Sequence, residues 1–388
     1  MATAQSTPIT SLGSHIAHAS LKQDTFKQNK MKMIIDNENL AGTSRRDLRS
    51  LPKAELHLHL EGAMRPSTLR DLCGKYNIVA PTIPTASSQK FTDFSAFVDV
   101  YIAACECLRE EEDIYRLVLE VAQDLHTCGV TWAEIAPSFT FYAERFGGME
   151  ATLELLTKAA ERAEEETNVG IGWVLSVERQ LGIAPAVELA HLALKGKKMT
   201  IGNRPAVVGF GLHGPEEGYP PALFQSAFDI ACGEGGIASL PHAGEIAPAI
   251  NQGSKSVLDA VQLLKAKRIG HGVLAAGHPA VIEVLRDGNI CLDICPTSNY
   301  LLNVVSSLES HPLTQFLKEG VKCSISSDDP LLFGCDIVSE FEVCRKDLNM
   351  DDSMLAACAK TSFEYSSAPD SVKQKGLEGI KDWLSLQE

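Results

Sequence analysis

From Leu51 onward, short apolar runs alternate with longer stretches in which apolar side chains recur every three or four positions. The first pattern is that of buried strands and the second that of amphipathic helices. The opening run, Ala54-Glu55-Leu56-His57-Leu58-His59-Leu60-Glu61-Gly62, alternates with period two. As a strand it places His57 and His59 together on one face, about 7 Å apart, and Leu56, Leu58 and Leu60 on the other. Helical spacing follows at Pro66–Tyr76 and Phe91–Leu108, where Phe94, Phe97, Val98, Tyr101 and Ile102 form a stripe, and in a helix ending at His126. Strands are predicted at Val130–Ser138, Ile171–Glu178, Pro205–His213, Ala238–His242, Arg268–Val273, Ile290–Ile294 and Val321–Ser326. Between them lie helical patterns at Gly148–Glu166, Ala184–Leu194, Pro220–Cys232, Ser254–Lys267, Pro279–Asp287 and His311–Glu319.

Eight strands, each followed by helix, imply an α/β fold with a parallel sheet. Over roughly 340 residues the pattern fits a single closed (β/α)8 barrel of the TIM type, with extra helices after strand one and at the C-terminus. A doubly wound open sheet is the alternative, but no GxGxxG turn follows the first strand. The expected organisation is a barrel domain over 49–388 preceded by a flexible extension over 1–48, a Ser/Thr/Gln/Lys-rich segment with weak patterning.

Composition narrows the partners. The formal charge of −15 argues against a nucleic-acid surface. No run approaches 18 apolar residues, so no membrane span is expected. Eleven cysteines without a CxxC pair, and no signal-peptide pattern, suit a reduced, cytoplasmic compartment.

The polar residues collect where the predicted strands stop. Strand one ends in His57 and His59, strand four in His213-Gly214-Pro215-Glu216, and strand five in His242-Ala243-Gly244-Glu245. Strand six ends in Gly270-His271-Gly272, strand seven in Cys295-Pro296-Thr297-Ser298-Asn299, and strand eight in Ser327-Asp328-Asp329-Pro330. The C-terminal strand ends of such a barrel form one rim, so these groups become neighbours. Imidazole and carboxylate donors without cysteine suit one Zn²⁺ per chain, with Fe²⁺ and Co²⁺ as chemical alternatives. Such an ion makes water a nucleophile near neutral pH, which points to hydrolysis. Each group also has a purely structural reading: Glu245 as a helix cap, Asp329-Pro330 as a helix start, His213 as a solvated or pocket-lining side chain.

In that order, His57-Leu58-His59, His242-Ala243-Gly244-Glu245, Gly270-His271-Gly272, Cys295-Pro296-Thr297-Ser298-Asn299 and Ser327-Asp328-Asp329-Pro330 resemble the motif series of the adenosine deaminase family. The resemblance runs from about Leu51 to the C-terminal helices, and the complete set is far more specific than any single motif. It implies a zinc-dependent hydrolytic deaminase of a 6-aminopurine. By the same resemblance His57, His59, His242 and Asp328 match the metal ligands, and Glu245 the acid that protonates the purine ring. His271 matches the group that orients or deprotonates the attacking water, and Asp329 the one that holds that water or the ring N7. Gly214 matches a backbone contact to the purine. The helix bearing Phe94 and Val98 falls over the pocket mouth, as core or as substrate lid. Three positions depart from the family: Glu61 stands where an aspartate reaches the ribose, Gly211 replaces an aspartate, and Ala136-Pro137 stands where many members have arginine. Glu61 is expected at the sugar end of the substrate. Adenosine and 2′-deoxyadenosine are the first expected substrates, giving inosine and ammonia. Adenine is second, and N6-methyl-AMP or aminodeoxyfutalosine are further members of the class. A different amidohydrolase chemistry is less well matched, because no strand-end lysine is present in strands four or five to bridge a second metal.

Overall fold

Eight parallel strands pair in sequence order: β1 (Lys53–His59), β2 (Val130–Ala136), β3 (Gly170–Glu178), β4 (Val207–His213), β5 (Ala238–Ala243), β6 (Arg268–His271), β7 (Cys291–Ile294) and β8 (Lys322–Ile325). The computed structural model describes residues 46–83, 90–92, 94–246 and 250–386. Residues 1–45 of the expected N-terminal extension lie outside these, and Asp47–Ser385 form one compact unit.

The barrel closes just beyond β8. Leu58 bridges in parallel to Asp328. The His59 N–H donates to the Asp328 carbonyl at 3.0 Å and the Asp328 N–H to the His57 carbonyl at 3.1 Å. The residues expected to bind metal therefore also carry the backbone seam. Leu56, Leu58 and Leu60 enter the hydrophobic core, as the alternation predicts. Beneath the rim, the buried Arg268 guanidinium pairs with Glu134 at 2.7 Å and Asp293 at 2.9 Å. This polar layer is satisfied by close ion pairs, the condition under which buried charges are tolerated.

Among the described residues, three helices separate β1 from β2: α1 (Pro66–Tyr76), α2 (Phe94–Glu106) and α3 (Glu111–Thr127). α1 starts at a proline, whose missing N–H costs nothing at that position. α3 starts with a reciprocal cap between Glu110 and Asp113. Later connections are made by helices Met149–Thr167, Ile183–Gly196, Ile250–Gln262, Pro279–Asp287 and Leu313–Lys318, and helices continue to Ser385. Among the described residues, no helix is long and apolar enough to cross a membrane.

Two helical expectations are corrected in detail. Pro220–Cys232 is a 3₁₀ turn (Pro221–Phe224), one α turn (Gln225–Phe228) and a π turn (Asp229–Glu234). The helix expected to reach Lys267 stops at Gln262, and Lys265 takes φ 55°, which cannot continue it. A short antiparallel pairing of Thr200–Ile201 with Arg204–Pro205 was not anticipated by the periodicity.

Candidate active site

Strand alternation delivers His57 and His59 to the rim, β5 contributes His242, and the turn after β8 contributes Asp328 at φ 63°. His57 Nε2 lies 3.2 Å and His59 Nε2 3.3 Å from Asp328 Oδ1, and His59 Nε2 lies 3.3 Å from His242 Nε2. Ligand atoms of His57, His242, His271 and Asp328 fall within 4.8 Å of one another, as do those of His59, Asp328 and Asp329. Close approach depends on Gly270, where a Cβ would stand 2.6 Å from the His57 ring.

These donors fit a metal. All five side chains of the histidine–Asp328 cluster are buried, and the His57 Nε2 has no hydrogen-bond partner among the described residues. Burial holds the His59 and His242 imidazoles below their ordinary pKa, so each is neutral and carries a lone pair. Burial would raise Asp328, but the imidazoles of His57 and His271 outweigh it and hold the carboxylate low. Neutral nitrogens and a carboxylate aimed at one point repel unless a cation lies among them. Nitrogen and oxygen donors of this kind suit a divalent first-row metal. Four imidazoles and two carboxylates, Asp328 and Asp329, are more donors than one four-coordinate ion uses, which leaves some of them for other tasks.

Glu245 projects from the turn after β5. Burial raises its pKa well above the ordinary carboxyl range, with Asp328 and Glu216 adding to the shift, the direction a proton donor requires. The turn is held by Glu216, whose carboxylate accepts from the backbone N–H of Gly244 (3.0 Å), Glu245 (2.8 Å) and Ile246 (3.1 Å), and from the Ser256 hydroxyl. Arg179 Nη2 donates to the His242 carbonyl at 2.7 Å from the other side. Asp329 is raised in the same direction, first by burial and then by Asp328, and its Oδ1 has no partner among the described residues. The His271 Nε2 lies 3.6 Å from Glu245 and 3.7 Å from Asp328, and burial pushes this imidazole down to about 3.

Part of the cluster opens on a cavity of about 450 Å³, within the range of small-molecule sites, while His57 and His271 are not among its lining residues. His59, His242, Glu245, Asp328 and Asp329 line it, as do Gly214 and the α2 side chains Phe94, Phe97 and Val98. Glu61 does not. Its carboxylate is buried and accepts from the hydroxyls of Tyr101 and Tyr142, each at 2.6 Å, and from the Ser138 N–H at 3.1 and 3.2 Å. The reason is local: β1 ends at His59 and Glu61–Ala63 form a 3₁₀ turn, so the strand phase that aims His57 and His59 is lost by residue 61. What the sequence reading missed is Glu178, the last residue of β3, which lines the cavity beside His213 and Gln180. Glu178 Oε1 lies 2.7 Å from His213 Nε2. Burial would raise Glu178, but the His213 imidazole outweighs it and holds the carboxylate low. The rule that found the other strand ends applies equally to β3 and would have found it.

A parallel barrel with a buried histidine–aspartate cluster and a buried carboxyl at its C-terminal rim has the layout in which metal-assisted hydrolysis is carried out. The chain belongs to the adenosine deaminase family, whose model, described as Adenosine deaminase, matches residues 52–383. A Streptomyces virginiae protein assigned to the adenosine/adenine deaminases is 39% identical over 346 residues, spanning 88% of this chain and 98% of the relative. An aminodeoxyfutalosine deaminase of Streptomyces avermitilis is 36% identical over 329 residues, spanning 83% and 89%. The crystal structure of an adenine deaminase from Arthrobacter aurescens superposes with a TM-score of 0.77 at 28% identity, covering 86% of this chain and 99% of that one. The protein is accordingly an enzyme, a hydrolytic deaminase.

Proposed function

We propose that this enzyme removes the 6-amino group of an uncharged purine, nucleoside or free base, using one zinc ion per chain held by His57, His59, His242 and Asp328. The observation that carries this reading is the composition of the cavity. Its lining combines His59, His242 and Asp328 of the cluster, Glu245 and Asp329 with aromatic and aliphatic side chains, and among the described residues no lysine or arginine lines it. A phosphate needs cationic partners. Here it would instead meet the ionised Glu178.

When bound, the metal supplies a Lewis acid that lets water attack near neutral pH. The chain's own residues do the rest. Glu245, its pKa raised by burial, donates to a ring nitrogen of the purine and so makes C6 electrophilic. Asp329, with a free buried oxygen, accepts from or donates to groups at the same edge, and His271 aims its Nε2 at the reacting centre. Phe94, Phe97 and Val98 exclude solvent from the ring. Water adds at C6 and ammonia leaves, so the amine becomes a carbonyl.

Adenosine is the substrate this reading favours. The cavity offers more room than a flat base fills, and Glu178, Gln180 and His213 provide polar groups for a sugar. Adenine is the second reading, supported by the likeness to the Arthrobacter adenine deaminase. Purified enzyme incubated with adenosine, 2′-deoxyadenosine, adenine, aminodeoxyfutalosine, AMP and N6-methyl-AMP, followed by ultraviolet absorbance, tests both. Turnover of adenosine or adenine with little of either nucleotide is expected, and a nucleotide as best substrate would overturn the uncharged-ligand reading. Elemental analysis should find about one zinc per chain.

A further inference from the structure

Behind the cluster runs a chain of hydrogen bonds whose direction is fixed at its far end. The backbone N–H of Leu313, a first-turn donor of helix Leu313–Lys318 with no partner inside its own helix, lies 3.1 Å from His311 Nδ1. A backbone N–H only donates, so His311 Nδ1 accepts, and the ring proton of neutral His311 sits on Nε2. That Nε2–H donates to Asn299 Oδ1 at 3.1 Å. The amide orientation of Asn299 follows, and its Nδ2 donates to His271 Nδ1 at 3.1 Å. All three side chains are buried, and Asn299 and His271 are fully so.

We infer that the Leu313–His311–Asn299 relay fixes His271 as its Nε2–H tautomer, which makes His271 a hydrogen-bond donor at the reacting centre and neither a metal ligand nor a resting base. Resting on the proposed deaminase site, this selects between orienting the water and deprotonating it. An imidazole whose Nδ1 accepts from an amide has no lone pair at Nε2, so it cannot bind a cation there or take a proton there. It also accounts for one of the surplus donors: of the four clustered imidazoles, His271 is the one withheld from the metal. The His271 Nε2–H has no partner among the described residues, so its hydrogen bond is left for a bound group. Asn299 and His311 are positioning residues that act through it.

The direct test is nitrogen NMR of the histidine rings in the metal-loaded and metal-depleted enzyme, assigned by loss of signals in His271→Gln and His311→Gln. Pyridine-type Nδ1 and pyrrole-type Nε2 are expected for both residues. A proton on His271 Nδ1 would overturn the inference, whatever substrate the enzyme takes. Asn299→Asp offers a second measure. A carboxylate only accepts, so it would draw the proton to His271 Nδ1 and reverse Nε2. The cost expected of a wrongly protonated imidazole is about 10²–10⁴-fold in kcat, with KM and metal content little changed. His311→Gln keeps one acceptor and one donor in a similar geometry and should stay within about threefold of wild type, whereas His311→Leu, which lets Asn299 turn, should lose more. Wild-type kcat in Asn299→Asp would also overturn the inference. Deaminase activity absent from every variant and from wild type, with the tautomer as expected, would count against the functional proposal alone.

Discussion

Glu61 and Glu245 are both buried carboxyls near the barrel rim, and their neighbours give them different jobs. Every lone-pair direction of Glu61 is taken by Tyr101, Tyr142 and Ser138, which ties α2 to the loop after β2. Glu61→Gln puts an amide N–H against donors, and should cost about 1–3 kcal/mol in urea unfolding. Its kcat/KM should fall by the same factor on adenosine and on adenine; a loss confined to adenosine would return Glu61 to the sugar site. Glu245 has its backbone held by Glu216 and its side chain in the cavity. Glu245→Gln preserves shape without the acidic proton, so metal content should be unchanged while kcat drops about 10²–10⁴-fold. Near-normal turnover in that variant would give the acid role to another group, with Asp329 next. The histidines and Asp328–Asp329 were legible in the sequence because imidazole and carboxylate at strand ends are costly without a partner. Glu61 lies off the cavity lining because its strand ends two residues earlier, where period-two alternation no longer sets its direction. His311 left no pattern at all, since its role depends on a contact to Asn299 that only the folded chain makes.

At the scale of elements, the strands were readable because each is short, apolar and bounded, and the helices because their buried faces repeat. The readings that failed lie where helical geometry is irregular, as in the 3₁₀, α and π turns of 221–234, and hydrophobic spacing does not separate these. The 3₁₀ turn Glu61–Ala63 belongs to the same group and matters most, because it carries Gly62 against Asp329. A Cβ at Gly62 would overlap the Asp329 carboxylate, falling 2.6 Å from its Cγ. Both segments are fixed by the barrel seam beside them, so Asp329 has to give way. Misplacing a reacting-site group by about 1 Å can cost about 10²-fold in rate. Gly62→Ala should therefore lose about that much kcat/KM while keeping its circular dichroism and its metal. Full activity in Gly62→Ala would remove Asp329 from the chemistry and leave it as the start of helix Pro330–Phe333.

For the whole molecule, the metal cluster and the closure of the barrel are one feature. The four proposed ligands come from β1, β5 and the turn after β8, and Asp328 supplies both a carboxylate to the cluster and the backbone bonds that join the last strand to the first. An ion bound there links segments about 270 residues apart and has no equivalent site in the unfolded chain. Ligand that binds only the folded state stabilises it by RT ln(1 + [L]/Kd), about 4 kcal/mol at a thousandfold excess over Kd. With an unfolding entropy of about 2 cal/mol/K per residue, that amounts to a fall in Tm of about 6 °C on removing the metal. Chelation should therefore lower Tm by several degrees, and added zinc should restore it. His242→Ala, which deletes a ligand without touching the seam, should start near the chelated value and respond little to chelator. An equal Tm with and without chelator in a wild-type protein shown to contain metal would mean that the ion sits elsewhere. A Tm drop in His242→Ala that chelator then deepens by the full amount would remove His242 from the ligand set.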